Sequence, residues 1–223
     1  MQINDCRVII GAALAIAWSA QALSQEQEEP PVLQWHLSGG YSITNGTTAD
    51  YLRDGWIITG GLRWNFQPAG PFALDFDLHY SSYGATNHLI SLANQQQSVV
   101  RIDSGWGDIL GFNANGVYRL ESVGWGHAYL TAGIGEYWRT VRLAQTVLVP
   151  GAYCDPWWGY CYSGLLPGQA VAHDETTGRF AWNAGLGFEF PLAYGSWFID
   201  LRVHQMQTKK TTEFIPIQIG MRF

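Results

Sequence analysis

The sequence predicts an all-β chain folded as an eight-stranded antiparallel transmembrane up-and-down β-barrel. Three observations lead there. Eight segments alternate apolar with polar or small residues, the period-two pattern of strands with two unlike faces. The connections between them alternate between short turns and long polar loops. Aromatic residues gather at the segment ends, where rings prefer the boundary between water and lipid.

The segments follow in order. Leu33 to Ile43 places Leu33, Trp35, Leu37, Tyr41 and Ile43 on one face. Trp56 to Phe66 gathers Trp56, Ile58, Leu62, Trp64 and Phe66. Phe72 to Tyr80 sets Phe72, Leu74, Phe76, Leu78 and Tyr80 against Ala73, Asp75, Asp77 and His79. Trp106 to Leu120 shows Leu110, Phe112, Ala114 and Tyr118 against Asn113, Asn115 and Arg119. Ala128 to Trp138 carries Leu130, Ala132, Ile134 and Trp138, with Glu136 out of pattern and expected near the rim or beside a bulge. Phe180 to Phe190 alternates Phe180, Trp182, Ala184, Leu186, Phe188 and Phe190 with Ala181, Asn183, Gly185, Gly187 and Glu189. Trp197 to Val203 sets Trp197, Ile199, Leu201 and Val203 against Asp200 and Arg202. The last segment runs Ile215, Ile217, Ile219, Met221 and Phe223 against Gln218, Gly220 and Arg222.

Short gaps near 67–71, 121–126 and 191–196 carry Gly, Pro and aromatic turn residues. Gaps near 44–55, 81–105 and 139–179 are longer and polar, and 208–211 is short. An even strand count puts both strand termini on the short-turn, periplasmic side. The aromatics at that rim would be Trp64, Phe66, Phe72, Tyr118, Phe188, Phe190, Trp197 and Phe223. At the other rim they would be Tyr41, Trp56, Tyr80, Trp138 and Phe180.

Composition agrees. Hydrophobic residues make up 47% of the 223 and charged ones 13%, about half the charged share of an ordinary soluble domain. After the N-terminus no apolar run reaches the roughly 18 residues of a membrane helix. A chain that meets lipid without such helices must close its strands, because every backbone polar group needs a partner in hydrocarbon. The net charge is −6 and the only lysines are Lys209 and Lys210, so no nucleic-acid footprint is present. Residues 1–22 read as a signal peptide: Arg7, an apolar run from Val8 to Ala20, then Ala20-Gln21-Ala22, with cleavage expected near 22–24. Cys6 precedes the run and so cannot be a lipoprotein cysteine. Residues 25–32, acidic and ending in Pro-Pro, are expected to be a disordered lead-in to a barrel over 33–223.

The ending Phe214-Ile215-Pro216-Ile217-Gln218-Ile219-Gly220-Met221-Arg222-Phe223 resembles the C-terminal signal read by the outer-membrane insertion machinery, with Phe223, Met221 and Ile219 as its apolar positions. Tyr129-Leu130-Thr131-Ala132-Gly133-Ile134-Gly135 and Trp182-Asn183-Ala184-Gly185-Leu186-Gly187 resemble the Gly-rich strands of porin-like proteins. Over residues 33–223 the chain is similar to the small outer-membrane β-barrel superfamily, the eight-stranded proteins like OmpA, OmpX and OmpW. The resemblance implies the outer membrane of a Gram-negative-type bacterium, with lipid, lipopolysaccharide and the insertion machinery as partners, and no cofactor. It implies no single function, because members include anchors, adhesins, conduits and lipid-modifying enzymes.

Four constellations are candidates for function. His79-Tyr80-Ser81 resembles the His-x-Ser pair of outer-membrane lipid A deacylases. However, His79 shares the inward parity of Asp75 and Asp77, and no Asp or Glu follows within 20 residues of Ser81 to orient the imidazole. A rim histidine beside a polar loop is the plainer expectation. Cys154 and Cys161, in an oxidising compartment, read as a disulfide. A metal site would need further ligands such as His173, Asp174 and Glu175. Trp157, Trp158, Tyr160 and Tyr162 in the same loop form either a binding tip or a cluster packed on the barrel mouth or the lipid interface. Arg63, Asp75, Asp77, Arg119, Glu189, Asp200, Arg202 and Arg222 face the lumen, either paired into a plug or lining a pore. The leading functional expectation is a non-enzymatic barrel presenting surface loops for binding or envelope integrity. A narrow channel for small or apolar solutes is the alternative, and a lipid A-modifying enzyme a distant third.

Overall fold

The computed structural model describes residues 31–67, 70–96, 101–123, 125–192, 195–208 and 211–223. The expected signal peptide and residues 25–30 of the lead-in lie outside that set. Eight strands follow in chain order: β1 (Leu33–Asn45), β2 (Leu52–Asn65), β3 (Phe72–Ala85), β4 (Ser104–Val123), β5 (Gly126–Cys154), β6 (Cys161–Leu192), β7 (Gly195–Met206) and β8 (Thr212–Arg222). Each pairs antiparallel with the next, and β8 pairs with β1 to close the barrel. Two helices, α1 (Thr47–Tyr51) and α2 (Asn87–Gln96), sit in the first two long connections.

The seam closes at the chain end. Trp35 and Phe223 exchange two backbone hydrogen bonds, of 2.8 and 2.9 Å. Beside them the carbonyls of Pro31 and Val32 accept hydrogen bonds from Asn65, which ties the end of the lead-in to β2. One rung followed round the barrel leaves β1 at Trp35, passes Leu62, Phe76, Ala114, Ile134, Trp182, Gln205 and Glu213, and returns to β1 at Asn45. A stagger from residue 35 to residue 45 over eight strands tilts them by roughly 40° and leaves a lumen that side chains fill.

That lumen is narrow, and the cross-strand pairs show it. His36 lies opposite Gly61, His79 opposite Gly111, Tyr129 opposite Gly187, Arg202 opposite Gly185 and Phe198 opposite Gly220. A Cβ added at any of these glycines would collide with the side chain across from it. Small faces large on adjacent strands, so the inward side chains interdigitate.

Outward, apolar residues alternate with the buried inward set as the sequence suggests. Trp64, Phe66, Phe72 and Tyr118 are exposed at the short-turn end, with Phe72 and Tyr118 rings 5.1 Å apart. Trp125, in a tight turn, joins them by stacking on Phe190. At the long-loop end Trp56 contacts Tyr80. Glu136 faces outward without a bulge, between Phe112 and Phe180 and two residues from Trp138.

The main departure concerns residues 139–179. The sequence predicts a long polar gap here, and the chain instead forms ladder: β5 and β6 stay paired from the barrel wall to Cys154 and Cys161. Above Ala144 on one side and Ala181 on the other they have no neighbouring strand, so they form a free two-stranded ribbon. From Ala144 to Cys154 this is roughly 33 Å at about 3.3 Å per residue. The inward/outward contrast that marks a barrel strand disappears outside the barrel, so period-two alternation could not reveal it.

Deleting Phe223 removes the last two hydrogen bonds of the β1–β8 ladder, leaving the Trp35 N–H and C=O unpaired at that end of the seam, and takes away the terminal aromatic of the segment that resembles the insertion signal. The intact chain should migrate differently on a gel before and after boiling, and the deletion should lose that shift and disappear from the membrane fraction. A deletion protein with wild-type membrane levels and an unchanged shift would contradict this.

Candidate functional site

The short turn after β2 sets the first contact in the lumen. The Phe66 amide donates to the Phe72 carbonyl, so the register continues Asn65 opposite Ala73 and Arg63 opposite Asp75. The Arg63 guanidinium grips Asp75 with two hydrogen bonds of 2.6 and 2.7 Å, both side chains fully buried. Arg63 also reaches Glu189 at 3.3 Å, and Arg222 pairs with the same carboxylate from β8. Ser196 donates to the other Glu189 oxygen. Arg119 lies at the edge of this layer and donates to Asn65 at 2.8 Å.

A second layer lies beside it. Arg202 bridges Asp77 and Asp200, at 2.5 and 2.7 Å. Asp77 also accepts from His36 at 2.8 Å and Asn115 at 2.7 Å, and Asp200 accepts from Tyr129 at 3.0 Å. The Tyr129 ring lies under both Arg63 and Arg222, and Phe198 under Arg222. All eight candidate lumen charges therefore lie in two connected layers, four arginines among four carboxylates. Bidentate and multiply bonded geometry of this kind is what a buried charge requires. His36, Tyr129, Asn65, Asn115, Ser196 and Phe198 were not singled out from sequence. Their inward parity was the available signal, but parity does not say which strands meet across a lumen.

Above the charge layers the lumen is filled by neutral polar side chains such as Asn113, Asn183 and His204 beside apolar ones. Leu52, Tyr83, Ile109, Tyr137, Ala181, Met206 and Phe214 form one buried cluster, and Leu89 of α2 packs onto it from the loop end. His79 sits here, not at the rim as expected. It is 2% exposed, accepts from Asn113 at Nδ1, and contacts the rings of Tyr137 and His204. Two residues on, Ser81 is also inward and buried, with its hydroxyl directed to the Ile109 carbonyl at 3.5 Å. Both groups thus face the lumen filling and away from the lipid, and neither is placed to reach an acyl chain.

The ribbon carries the other candidates. Cys154 and Cys161 occupy the last ladder pair and are disulfide-bonded. His173 pairs with Leu143 near the base, roughly 40 Å down the ribbon, so it, Asp174 and Glu175 cannot complete a metal site with the cysteines. Among the described residues no cluster of three or more His, Cys, Asp or Glu is arranged to hold a metal ion. The tip turn is built by Asp155: its carboxylate accepts from the Trp157 and Trp158 amides at 2.8 and 3.0 Å, and Gly159 takes the left-handed φ of +70° that the turn needs. Trp157, Trp158, Tyr160 and Tyr162 are all exposed there, away from the barrel mouth.

Asp75→Ala should destabilise the barrel by about 3–5 kcal/mol, because it strips Arg63 of its bidentate partner inside the lumen. The paired replacement Arg63→Leu/Asp75→Leu should lose clearly less. Urea titrations of vesicle-folded protein measure both, and a double variant as unstable as the sum of its parts would show that the pair is not the cause.

The model of the outer membrane protein beta-barrel domain family matches residues 10–221. Among solved structures, Neisserial surface protein A is similar at a TM-score of 0.54, with 10% identity over 86% of this chain and 96% of its own. Ail, the attachment invasion locus protein of Yersinia pestis, determined with the heparin analogue sucrose octasulfate, aligns at a TM-score of 0.48, with 12% identity over 86% of this chain and all of its own. No curated protein matches the chain by sequence. The closed eight-stranded barrel, its aromatic belts and the family match over most of its length make this chain a member of the outer membrane protein β-barrel domain family, located in the outer membrane.

Proposed function

We propose that this protein is a non-enzymatic, non-conducting outer-membrane barrel whose working part is the disulfide-capped β5–β6 ribbon, presented outside the cell as a binding element. The observation that carries this reading is the contrast between the two ends of β5 and β6. Inside the barrel they wall a lumen filled by charge layers and an apolar cluster. Outside it they continue as a preorganised ribbon with four exposed aromatic side chains at its tip. Rigid Trp and Tyr anchors are the usual energetic centre of a contact surface. A ladder closed by a disulfide loses little conformational freedom when it binds. The channel reading finds less support, because Arg63, Arg202 and Arg222 cross the lumen and are held by carboxylates from other strands. The lipid-modifying reading lacks an oriented His–Ser pair that meets acyl chains.

The chain-entropy model gives the tip disulfide about 2–3 kcal/mol for so short a loop, so it shapes the tip and not the barrel. Cys154→Ser/Cys161→Ser should therefore keep the gel shift on boiling. The decisive comparison is between cells carrying the intact chain and cells in which residues 145–170 are replaced by a two-residue turn. Both should insert the barrel, and neither should give steady conductance in planar bilayers. Only the intact chain should increase adhesion to a panel of matrix proteins, glycan films and lipid films. Equal adhesion by the two strains, or large stable conductance steps from the intact protein, would overturn the reading.

A further inference from the structure

The ribbon is divided chemically along its length. Its base is a charged collar: Arg142 bridges Asp108 at 2.7 Å and Asp174 at 3.4 Å, and His173 lies 3.7 Å from Glu175. Beyond the collar, from Ala144 to Ala172, the sequence has one acidic residue, Asp155, and no Lys, Arg or His. Both faces of this outer half are apolar. Leu148 and Leu165 share one face and Val149 and Leu166 the other. At the end Trp157 is 86% exposed and Trp158 71%.

Three kinds of occupant suit an apolar ribbon: an added strand at its edge, a second ribbon on its face, or a lipid surface at its tip. The edges are blocked. Asp103 donates to the Ala144 carbonyl and its carboxylate accepts from the Thr146 amide, so even-numbered residues of β5 direct their backbone groups to the free edge. Pro150 falls in that set. Ala144 pairs with Val171, so the odd-numbered residues of β6 face the opposite free edge, and Pro167 falls there. Each edge lacks a donor near its middle, the usual protection against strand addition. The faces are too small: a two-stranded face ten residues long measures about 33 by 10 Å, and two copies stacked would bury roughly 700 Å² against the ~1,200 Å² of a stable interface.

The tip remains. Trp and Tyr concentrate where an apolar phase meets water, and the aliphatic pairs behind them continue the apolar surface inward. Anionic lipid surfaces are met with Lys and Arg, which the outer half lacks, and the chain as a whole carries −6. The Asp155 carboxylate is already engaged within the turn. We propose that the ribbon tip inserts Trp157, Trp158 and Tyr160 into the headgroup boundary of a zwitterionic bilayer facing the bacterium, a membrane other than the one that holds the barrel. This rests on the ribbon being the binding element.

The test uses the full mature chain held in nanodiscs and mixed with phosphatidylcholine vesicles. The wild type should float with the vesicles. Brominated phosphatidylcholine should quench part of its tryptophan emission. Trp157→Ser/Trp158→Ser should keep the disulfide and the gel shift, lose that quenched fraction and bind about tenfold or more weakly. Vesicles containing phosphatidylglycerol or lipopolysaccharide should bind less well than phosphatidylcholine alone. Stronger binding to either would overturn the assignment of a neutral surface. Association of discs without vesicles would assign the tip to a second copy. Ribbon-dependent adhesion to protein or glycan without flotation would refute the lipid surface and leave the binding role standing. Loss of all ribbon-dependent adhesion would remove both.

Discussion

The ladder between β1 and β8, from the Trp35 and Phe223 bonds through His36 opposite Arg222 to Asn45 opposite Glu213, is the contact on which the rest depends. In hydrocarbon an unpaired strand edge is prohibitive, so a sheet of this size persists there only when its first and last strands meet. Closure with eight strands and the observed stagger then fixes the width of the lumen. Every inward side chain must fit that width, and the chain meets the demand by pairing large residues with glycine across neighbouring strands, as at Tyr129 and Gly187 or His79 and Gly111.

The same narrowness explains the chemistry inside. Guanidinium and carboxylate groups on opposite walls are brought within hydrogen-bonding distance, so Arg202 from β7 reaches Asp77 from β3, and Arg222 from β8 reaches Glu189 from β6. Each pair gains because water is largely displaced, and each would be costly if broken for the same reason. Tyr129 and Phe198 fill the space beside the arginine planes. Above them the apolar cluster around Tyr137 and Phe214, with the Tyr137 hydroxyl bonded to His204 and the Tyr83 hydroxyl to Ser42, completes the filling up to Leu89. The interior behaves as the hydrophobic core of a soluble protein does, with a charged lower half.

With the lumen occupied, what distinguishes this protein is outside the wall. β5 and β6 continue by the same antiparallel ladder that builds the barrel, but without neighbours their outer edges are exposed. The prolines at 150 and 167 fall on those edges, where no ladder bond is lost and strand addition is discouraged. A charged collar at the base, an uncharged outer half and an aromatic tip held by Asp155 and the disulfide follow in order along the ribbon.

The sequence by itself determined the strand number, the inward and outward faces within the barrel, and one contact: the turn from Phe66 to Phe72 is short enough to fix the register, and with it Arg63 opposite Asp75. The Cys154–Cys161 bond was legible for the same reason, since few residues separate the two. Local patterns carry such information because alternation and tight turns constrain neighbours in the chain. Tertiary structure alone decided the rest. Which arginine meets which carboxylate across the lumen depends on the stagger, a property of the closed ring that no single strand encodes. His79 lies in the lumen filling because β3 continues past Tyr80 to Ala85. The ribbon was hidden because outside the membrane neither face of a strand is held to one polarity, so the alternation that reveals β5 and β6 below Trp138 is absent where they rise above the barrel.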